Sequence, residues 1–460
     1  MRGVINTEIN ERRTPGVNSP ITTFYKVGAI VEIEEAVIGD PYEGDDLWYK
    51  LKNGCYLWSG GVDIEADSAG LAPEDHDQYL ISYRNIHPDG RPNMNSKSPP
   101  DKLYFTPVRL PAESESIRVN ELMPELFAES VMQSVRKFNR DRGNVLIYIH
   151  GYQPLFPSLK LDLFLGLVKS YLTHPLNSIA KVIFLSWPAH GGAGRKTTDD
   201  RSIKMGEHFS DMGMFKTFKV LSDKLKAEGR ALNLIVHSFG HQLLNGMINP
   251  FPANPIPTDP TGLKNVFENI FLMAPDISVH VTKKGGKTLN NYFQDRDGRS
   301  FLYMYSGLTM LAKNVYVFHD KYDYLLYSST KKFVGSRNLR GIDSPEKRFE
   351  ITGDYRNLGN YGKVKIDQTI DEEKFEFIDV DKLVTDGTPG KFSDFPFRHI
   401  KGTRPANEIE KVYANFDYSG INGEWIIFNI NRFGSHHRYL FTCRPVVEKV
   451  LKLLLGGPTP

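Results

Sequence analysis

From Phe127 onward the sequence alternates two periods, and this alternation restricts the available folds more than any other feature. Phe127, Val131, Val135 and Phe138 form an apolar stripe at helical spacing, and the next run, Asn144-Val-Leu-Ile-Tyr-Ile149, is almost wholly apolar. Leu161, Phe164 and Val168 form a second stripe before Lys181-Val-Ile-Phe-Leu-Ser-Trp187, and Phe218, Leu221 and Leu225 a third before the run at 232–236. Two more apolar runs lie at 267–273 and 314–318, and a last stripe contains Val446, Val450, Leu453 and Leu454. Short runs without a polar face fit strands covered on both sides. The pattern therefore predicts an α/β fold, a mostly parallel sheet with helices on both faces. No internal repeat is visible.

The first sixty-odd residues have a different period. Val31 and Ile33 alternate with Glu32 and Glu34, Leu47, Tyr49 and Leu51 alternate with Trp48 and Lys50, and Asn53-Gly54 supplies a two-residue turn into Cys55-Tyr-Leu-Trp58. They predict a small all-β module over residues 1–64. Residues 65–112 are rich in Asp, Pro, Gly, Asn and Ser and read as a linker, with 102–110 as an edge strand of the larger domain. That domain then spans 113–460.

The run at 232–236 ends abruptly in His237-Ser-Phe-Gly-His241 and becomes helical. A serine on such a strand-to-helix turn is pushed out of the sheet, beside the backbone N–H groups of a helix N-terminus. That is the geometry of an acyl-transfer nucleophile, and Ser238 is the candidate. Gly240 is the small neighbour the turn needs, whereas Val236 stands where Gly or Ala is usual. An α/β hydrolase then requires Asp or Glu and finally His, in that chain order. Asp323, in His319-Asp-Lys-Tyr-Asp323, follows a sheet strand, with Asp320 and Asp276 as rivals. His437 precedes the last helix, with His436 as its rival. His437 would take the proton from Ser238 and return it to the leaving group while Asp323 fixes the imidazole tautomer. The turn Ile149-His-Gly-Tyr152 follows the first central strand, so the backbone N–H groups of Tyr152 and Phe239 are the expected oxyanion donors. His150 is expected to brace that loop. This chemistry needs only the protein and water, so no cofactor is implied.

The motifs Tyr148-Ile-His-Gly-Tyr152, Leu185-Ser-Trp-Pro188, Ile235-Val-His-Ser-Phe-Gly-His241, Leu272-Met-Ala-Pro-Asp276, Asp323-Tyr-Leu-Leu326 and His437-Arg-Tyr439 together resemble a bacterial α/β-hydrolase family of unknown function, similar to lipases and esterases. The resemblance covers residues 113–460 and implies a serine hydrolase acting on a small-molecule or lipid ester. Members usually read A-H-S-M-G-N at the elbow, so Val236, Phe239 and His241 are departures. At the other end, Arg12-Arg-Thr-Pro15, Tyr25-Lys-Val-Gly28, Trp48-Tyr-Lys-Leu51 and Tyr56-Leu-Trp-Ser59 resemble bacterial SH3-like barrels, which usually bind peptides or cell-wall fragments. That resemblance implies a peptide or protein partner, with Trp48, Tyr56 and Trp58 either lining a groove or filling the barrel core.

Two rival functions use the same residues. His237 and His241, spaced i, i+4, suit a zinc-dependent hydrolase if both lie on one helix face, although the Glu of H-E-x-x-H is missing. A non-catalytic scaffold would keep the two domains for partner binding alone, but no member of the triad is missing. Lys+Arg 57 against Asp+Glu 55 leaves a net charge of +2, too balanced for nucleic acid or an anionic membrane to be an obligatory partner. The two cysteines, Cys55 and Cys443, cannot build a disulfide framework. Residues 1–13 lack a signal peptide's apolar core, and no stretch reaches the roughly 18 apolar residues of a membrane span. The expected location is cytoplasmic, although a dedicated secretion route would leave no mark of this kind. Insertions at 191–212, 278–311 and 337–374 are candidate roofs over the site. Met212, Met214 and Phe215 fit either a short apolar patch there or core packing.

Overall fold

Two sheets that share no strand carry the architecture of the computed structural model. It describes residues 2–42, 45–65, 77–93, 100–109, 117–139, 143–151, 167–168, 170–189, 195–248, 263–277, 308–320, 326, 358–361, 375–385 and 444–456. Met1–His76, Val168–Ser178 and Glu448–Pro460 form one compact unit, and Asp77–Leu167 with Ile179–Val447 the other.

The N-terminal all-β region comprises β1 (Arg2–Ile5), β2 (Ile9–Arg12), β3 (Ile21–Tyr25), β4 (Ile30–Tyr42), β5 (Asp45–Leu51), β6 (Tyr56–Trp58) and β7 (Val62–Glu65). They pair antiparallel in the order β3-β2-β6-β5-β4-β1-β7. In β4 the alternation holds, with Val31 and Ile33 buried and Glu32 and Glu34 exposed. In β5 it does not, because Trp48 joins Tyr49 and Leu51 in the core and donates its indole N–H to the Asp40 carbonyl at 2.9 Å. An indole gains more from burial than the chain loses by breaking a two-residue period, provided its N–H finds an acceptor. Trp48 therefore lines no groove; Tyr56 and Trp58 are half-buried. The expected turn forms, with the Gly54 N–H on the Leu51 carbonyl and the Cys55 N–H on Asn53 Oδ1.

The second sheet has nine strands: β8 (Asp77–Ser82), β9 (Tyr104–Arg109), β10 (Asn120–Glu121), β11 (Asn144–Ile149), β12 (Ile179–Ser186), β13 (Leu232–His237), β14 (Phe267–Met273), β15 (Ala312–His319) and β16 (Phe375–Asp379). Their order is β10-β9-β8-β12-β11-β13-β14-β15-β16, parallel from β8 to β16 and antiparallel at β9 and β10. Every residue of β12 and β13 is buried, as a strand covered on both faces requires. Along β11, Val145, Ile147 and Ile149 enter the main core cluster while Leu146 and Tyr148 are fully buried outside it.

One stretch departs from its expected role. The linker predicted at 65–112 contains, besides β9 at the strand expected over 102–110, the strand β8, which pairs along Ile183–Ser186 of β12. Its turn residues masked the six-residue strand at 77–82, whose Gln78 side chain accepts the Val182 N–H at 2.7 Å and so hides a polar residue inside the sheet.

The described helices are α1 (Pro124–Val135), α2 (Arg195–Asp211), α3 (Met214–Ala227), α4 (Gly240–Met247), α5 (Leu308–Leu311), α6 (Leu358–Tyr361), α7 (Val380–Thr385) and α8 (Arg444–Leu454). The stripes predicted for α1, α3 and α8 are their buried faces, except that Phe138 falls beyond the end of α1 and is half-buried, while the stripe at 161–168 falls largely outside the described residues. α2 lies in the first suggested roof, and its Ile203, Met205 and Phe209 are buried. It packs on α4 so closely that a side chain on Gly206 would press on the Met247 N–H at 2.7 Å. Met214 and Phe215 are likewise core residues. The other two suggested roofs lie mostly outside the described residues.

Candidate active site

Ser238 sits between the last residue of β13 and the start of α4, at φ +53°, and is 5 % exposed. A non-glycine residue in the left-handed region is held there at a cost of order 1–3 kcal/mol, so its surroundings must over-determine it. They do so through its backbone. The Ser238 N–H donates to the Met273 carbonyl at 2.9 Å. The Ser238 carbonyl accepts from the His241 N–H at 3.1 Å, from His241 Nδ1 at 2.6 Å and from the Asp276 N–H at 3.3 Å. His241, a departure at the sequence level, is thus the clasp of the turn.

The turn after β11 closes over the serine. A Cβ on Gly151 would lie 2.7 Å from Ser238 Cβ and 3.2 Å from Ser238 Oγ, and one on Gly240 would lie 2.7 Å from the His150 carbonyl oxygen. Both positions exclude any side chain. Val236, which stands where Gly or Ala is usual, is fully buried in the core; the close approach falls on Gly151 and Gly240.

His150 braces this turn, as its position in the sequence suggested. Its Nδ1 donates to the Gly151 carbonyl at 2.8 Å and its Nε2 accepts from the Trp187 N–H at 3.3 Å. His237 ends β13, and the Ser238-Phe239 turn separates it from His241 on α4, so the two imidazoles do not share a helix face. With His241 Nδ1 committed to the Ser238 carbonyl, the spacing that suggested zinc is the spacing of an elbow. Among the described residues, no group of three or more His, Cys, Asp or Glu could hold a metal ion.

The next two strands of the sheet after β13 are followed by buried aspartates. Asp276, 6 % exposed, is tied to the elbow through its backbone: its carbonyl accepts from Gln242 Nε2 at 2.9 Å. Asp320, 1 % exposed, follows β15 directly, and its N–H reaches the Gly359 carbonyl at 2.8 Å. Phe239, one expected oxyanion donor, is buried beside Ser238. Tyr152, Asp323, His436 and His437 lie outside the described residues. Sequence reasoning gave no role to Trp187 or Arg84, which converge on this turn from β12 and from the end of β8; only the Ser-Trp-Pro motif hinted at the first.

A mostly parallel sheet bearing a strained serine at the carboxyl end of its strand β13 defines an α/β hydrolase. The chain belongs to the family described as alpha/beta hydrolase of unknown function (DUF900), whose match covers residues 127–377. Among solved structures it is similar to phospholipase PlaB from Legionella pneumophila in complex with thio-NAD, at 16% identity and a TM-score of 0.22, over 42% of this chain and 41% of that one. A second structure of the same phospholipase matches at 14% identity and a TM-score of 0.22, over 42% of each chain. The chain therefore spans about two fifths of the phospholipase it matches. No curated protein matches the sequence. Among the described residues, no helix is long and apolar enough to cross a membrane.

Proposed function

We propose that this chain is a serine hydrolase that cleaves a carboxylic ester through an acyl-enzyme on Ser238. The observation that carries the reading is the strained serine itself, held at φ +53° against the glycine turn at Gly151. In the proposed reaction His437 takes the Ser238 hydroxyl proton as Oγ bonds to the ester carbonyl carbon, and Asp323 supports the imidazolium. The N–H groups of Tyr152 and Phe239 receive the oxyanion. Collapse of the intermediate breaks the carbon–oxygen ester bond, and the alcohol leaves with the proton from His437. Water then repeats the cycle on the acyl group and frees the acid and Ser238.

The substrate in this reading is a small-molecule or lipid ester. Residues 1–64 act as an SH3-like module that targets a peptide or protein partner, the hydrolase proper spans 113–460 extended by the strands at 77–82 and 104–109, and the protein works in the cytoplasm. Turnover of p-nitrophenyl esters of increasing acyl length by the wild-type protein and by Ser238→Ala tests the proposal. Wild type is expected to show an acyl-length optimum and Ser238→Ala to lose about 10³-fold or more in kcat. Equal turnover by the two proteins would overturn it.

A further inference from the structure

Trp187 follows β12 and contacts His150 on one side of the Ser238 turn and the Phe239 ring on the other. Its indole N–H donates to the His150 carbonyl at 2.9 Å and its backbone N–H to His150 Nε2 at 3.3 Å. With His150 Nδ1 on the Gly151 carbonyl, both ring nitrogens are engaged and the imidazole is the neutral Nδ1–H form. The same indole ring stacks on His150, with centroids 5.7 Å apart and planes 28° apart, and on Phe239, 6.2 Å and 14° apart. His150 in turn lies against Phe184 of β12 at 5.4 Å. Four rings thus run from the sheet to the residue after the nucleophile.

A buried cation anchors the backbone of Trp187. Arg84, 3 % exposed, donates Nη2 to the Trp187 carbonyl at 2.9 Å and Nε to Ser186 Oγ at 3.1 Å. The His150 carbonyl that receives the indole N–H is also the atom nearest to a would-be Cβ on Gly240, at 2.7 Å. Moving the indole therefore moves the gap between the 150–151 turn and the start of α4. Hydrogen bonds to a developing oxyanion accelerate reaction only if they are already in place, and an ångström of misplacement costs about 10²-fold.

The geometry points to Trp187 as the positioning residue that sets the spacing between the His150-Gly151 turn and the Ser238-Phe239 turn, with His150 and Arg84 holding it. This inference rests on the serine-hydrolase reading above. In this scheme Trp187 acts through His150 and Phe239 rather than on the substrate.

Trp187→Phe keeps a flat ring for the stack and removes the indole N–H; Trp187→Leu removes both. The measurement is kcat and KM on a short-chain p-nitrophenyl ester, normalised to the fraction of full-length protein labelled by a fluorophosphonate, with thermal unfolding in parallel. Trp187→Phe is expected to lower kcat per labelled site about tenfold with KM within about twofold, and Trp187→Leu to lower it about a hundredfold. If Trp187→Phe fails to fold, Arg84→Lys gives the same readout, with an expected loss of about threefold in kcat per labelled site. Unchanged kcat per labelled site, whatever happens to thermal stability, would mean that the indole only packs and would overturn the inference alone. A wild-type protein that takes no label would overturn the serine-hydrolase reading and this inference together.

Discussion

A serine at φ +53° stores strain that a glycine in the same place would not. Ser238→Ala keeps the Cβ and the strain, whereas Ser238→Gly removes both. In denaturant unfolding, Ser238→Gly is expected to exceed Ser238→Ala in stability by about 1 kcal/mol while both are inactive; equal stabilities would mean that the turn is unstrained. Close approach makes the opposite prediction at Gly151. Its new methyl would meet Ser238 Cβ at 2.7 Å and the His237 carbonyl at 3.1 Å, so Gly151→Ala should cost about 1–3 kcal/mol and most of the activity. Next to the acidic candidate Asp320, burial, the largest influence, pushes His319 below its ordinary 6.5; Asp379 opposes this and Lys382 assists it. The native ring refuses a proton that the unfolded chain accepts, so its contribution is complete above pH 6.5 and drains away as pH falls through the lowered native value. His319→Gln should flatten the dependence of the urea midpoint on pH below 6.5. Ser238, Gly151 and Gly240 were legible in the sequence because an apolar run that stops at a small-residue turn is a local signal. Trp187 and Arg84 were not, since their meaning lies in hydrogen bonds that span 37 and 103 residues.

Among the elements, the central strands were the most readable and the flanking ones the least. The runs at 144–149 and 267–273 coincide with β11 and β14 because strands buried on both faces carry no competing period. β8 was hidden by turn residues around it, and β16, Phe-Glu-Phe-Ile-Asp, lies beyond a charged stretch and keeps neither an unbroken apolar run nor a strict alternation. The central strands also carry a polar ladder that hydrophobicity alone conceals. Asn269 Nδ2 donates to Asn233 Oδ1 at 2.9 Å, and Asn314 Nδ2 to Asn269 Oδ1 at 2.9 Å, linking β13, β14 and β15 across one layer. A one-residue slip would break both bonds, so the ladder specifies register as well as stability. Asn269→Ala, which strands the buried Asn233 on one side and the half-buried Asn314 on the other, is expected to cost about 1–3 kcal/mol in chemical denaturation. A cost below about 0.5 kcal/mol would show that the register is held by apolar packing alone.

At the scale of the molecule, each of the two sheets carries polar contacts of its own. In the all-β region the buried Glu11 carboxylate accepts from Thr22 Oγ1 at 2.7 Å, Tyr25 OH at 2.9 Å and Asn53 Nδ2 at 3.0 Å, tying β2 to β3 and to the turn before β6. Burial works to raise its pKa, but these bonds and one with Cys55 outweigh it and hold the carboxyl below its ordinary value, while Tyr25 is pushed up to about 12. The Glu11 contribution is thus present above about pH 4.5 and lost as the carboxylate is protonated. Glu11→Ala should lower the unfolding temperature of that region and leave turnover of a small soluble ester within about twofold of wild type. The central claim, that acyl transfer runs on one serine of the whole chain, is tested most directly by fluorophosphonate labelling of the full-length protein followed by peptide mapping. The account predicts a single labelled peptide, the one containing Ser238, with labelling lost in Ser238→Ala and in His437→Ala. Labelling at another serine, or none in a folded wild-type protein, would contradict it.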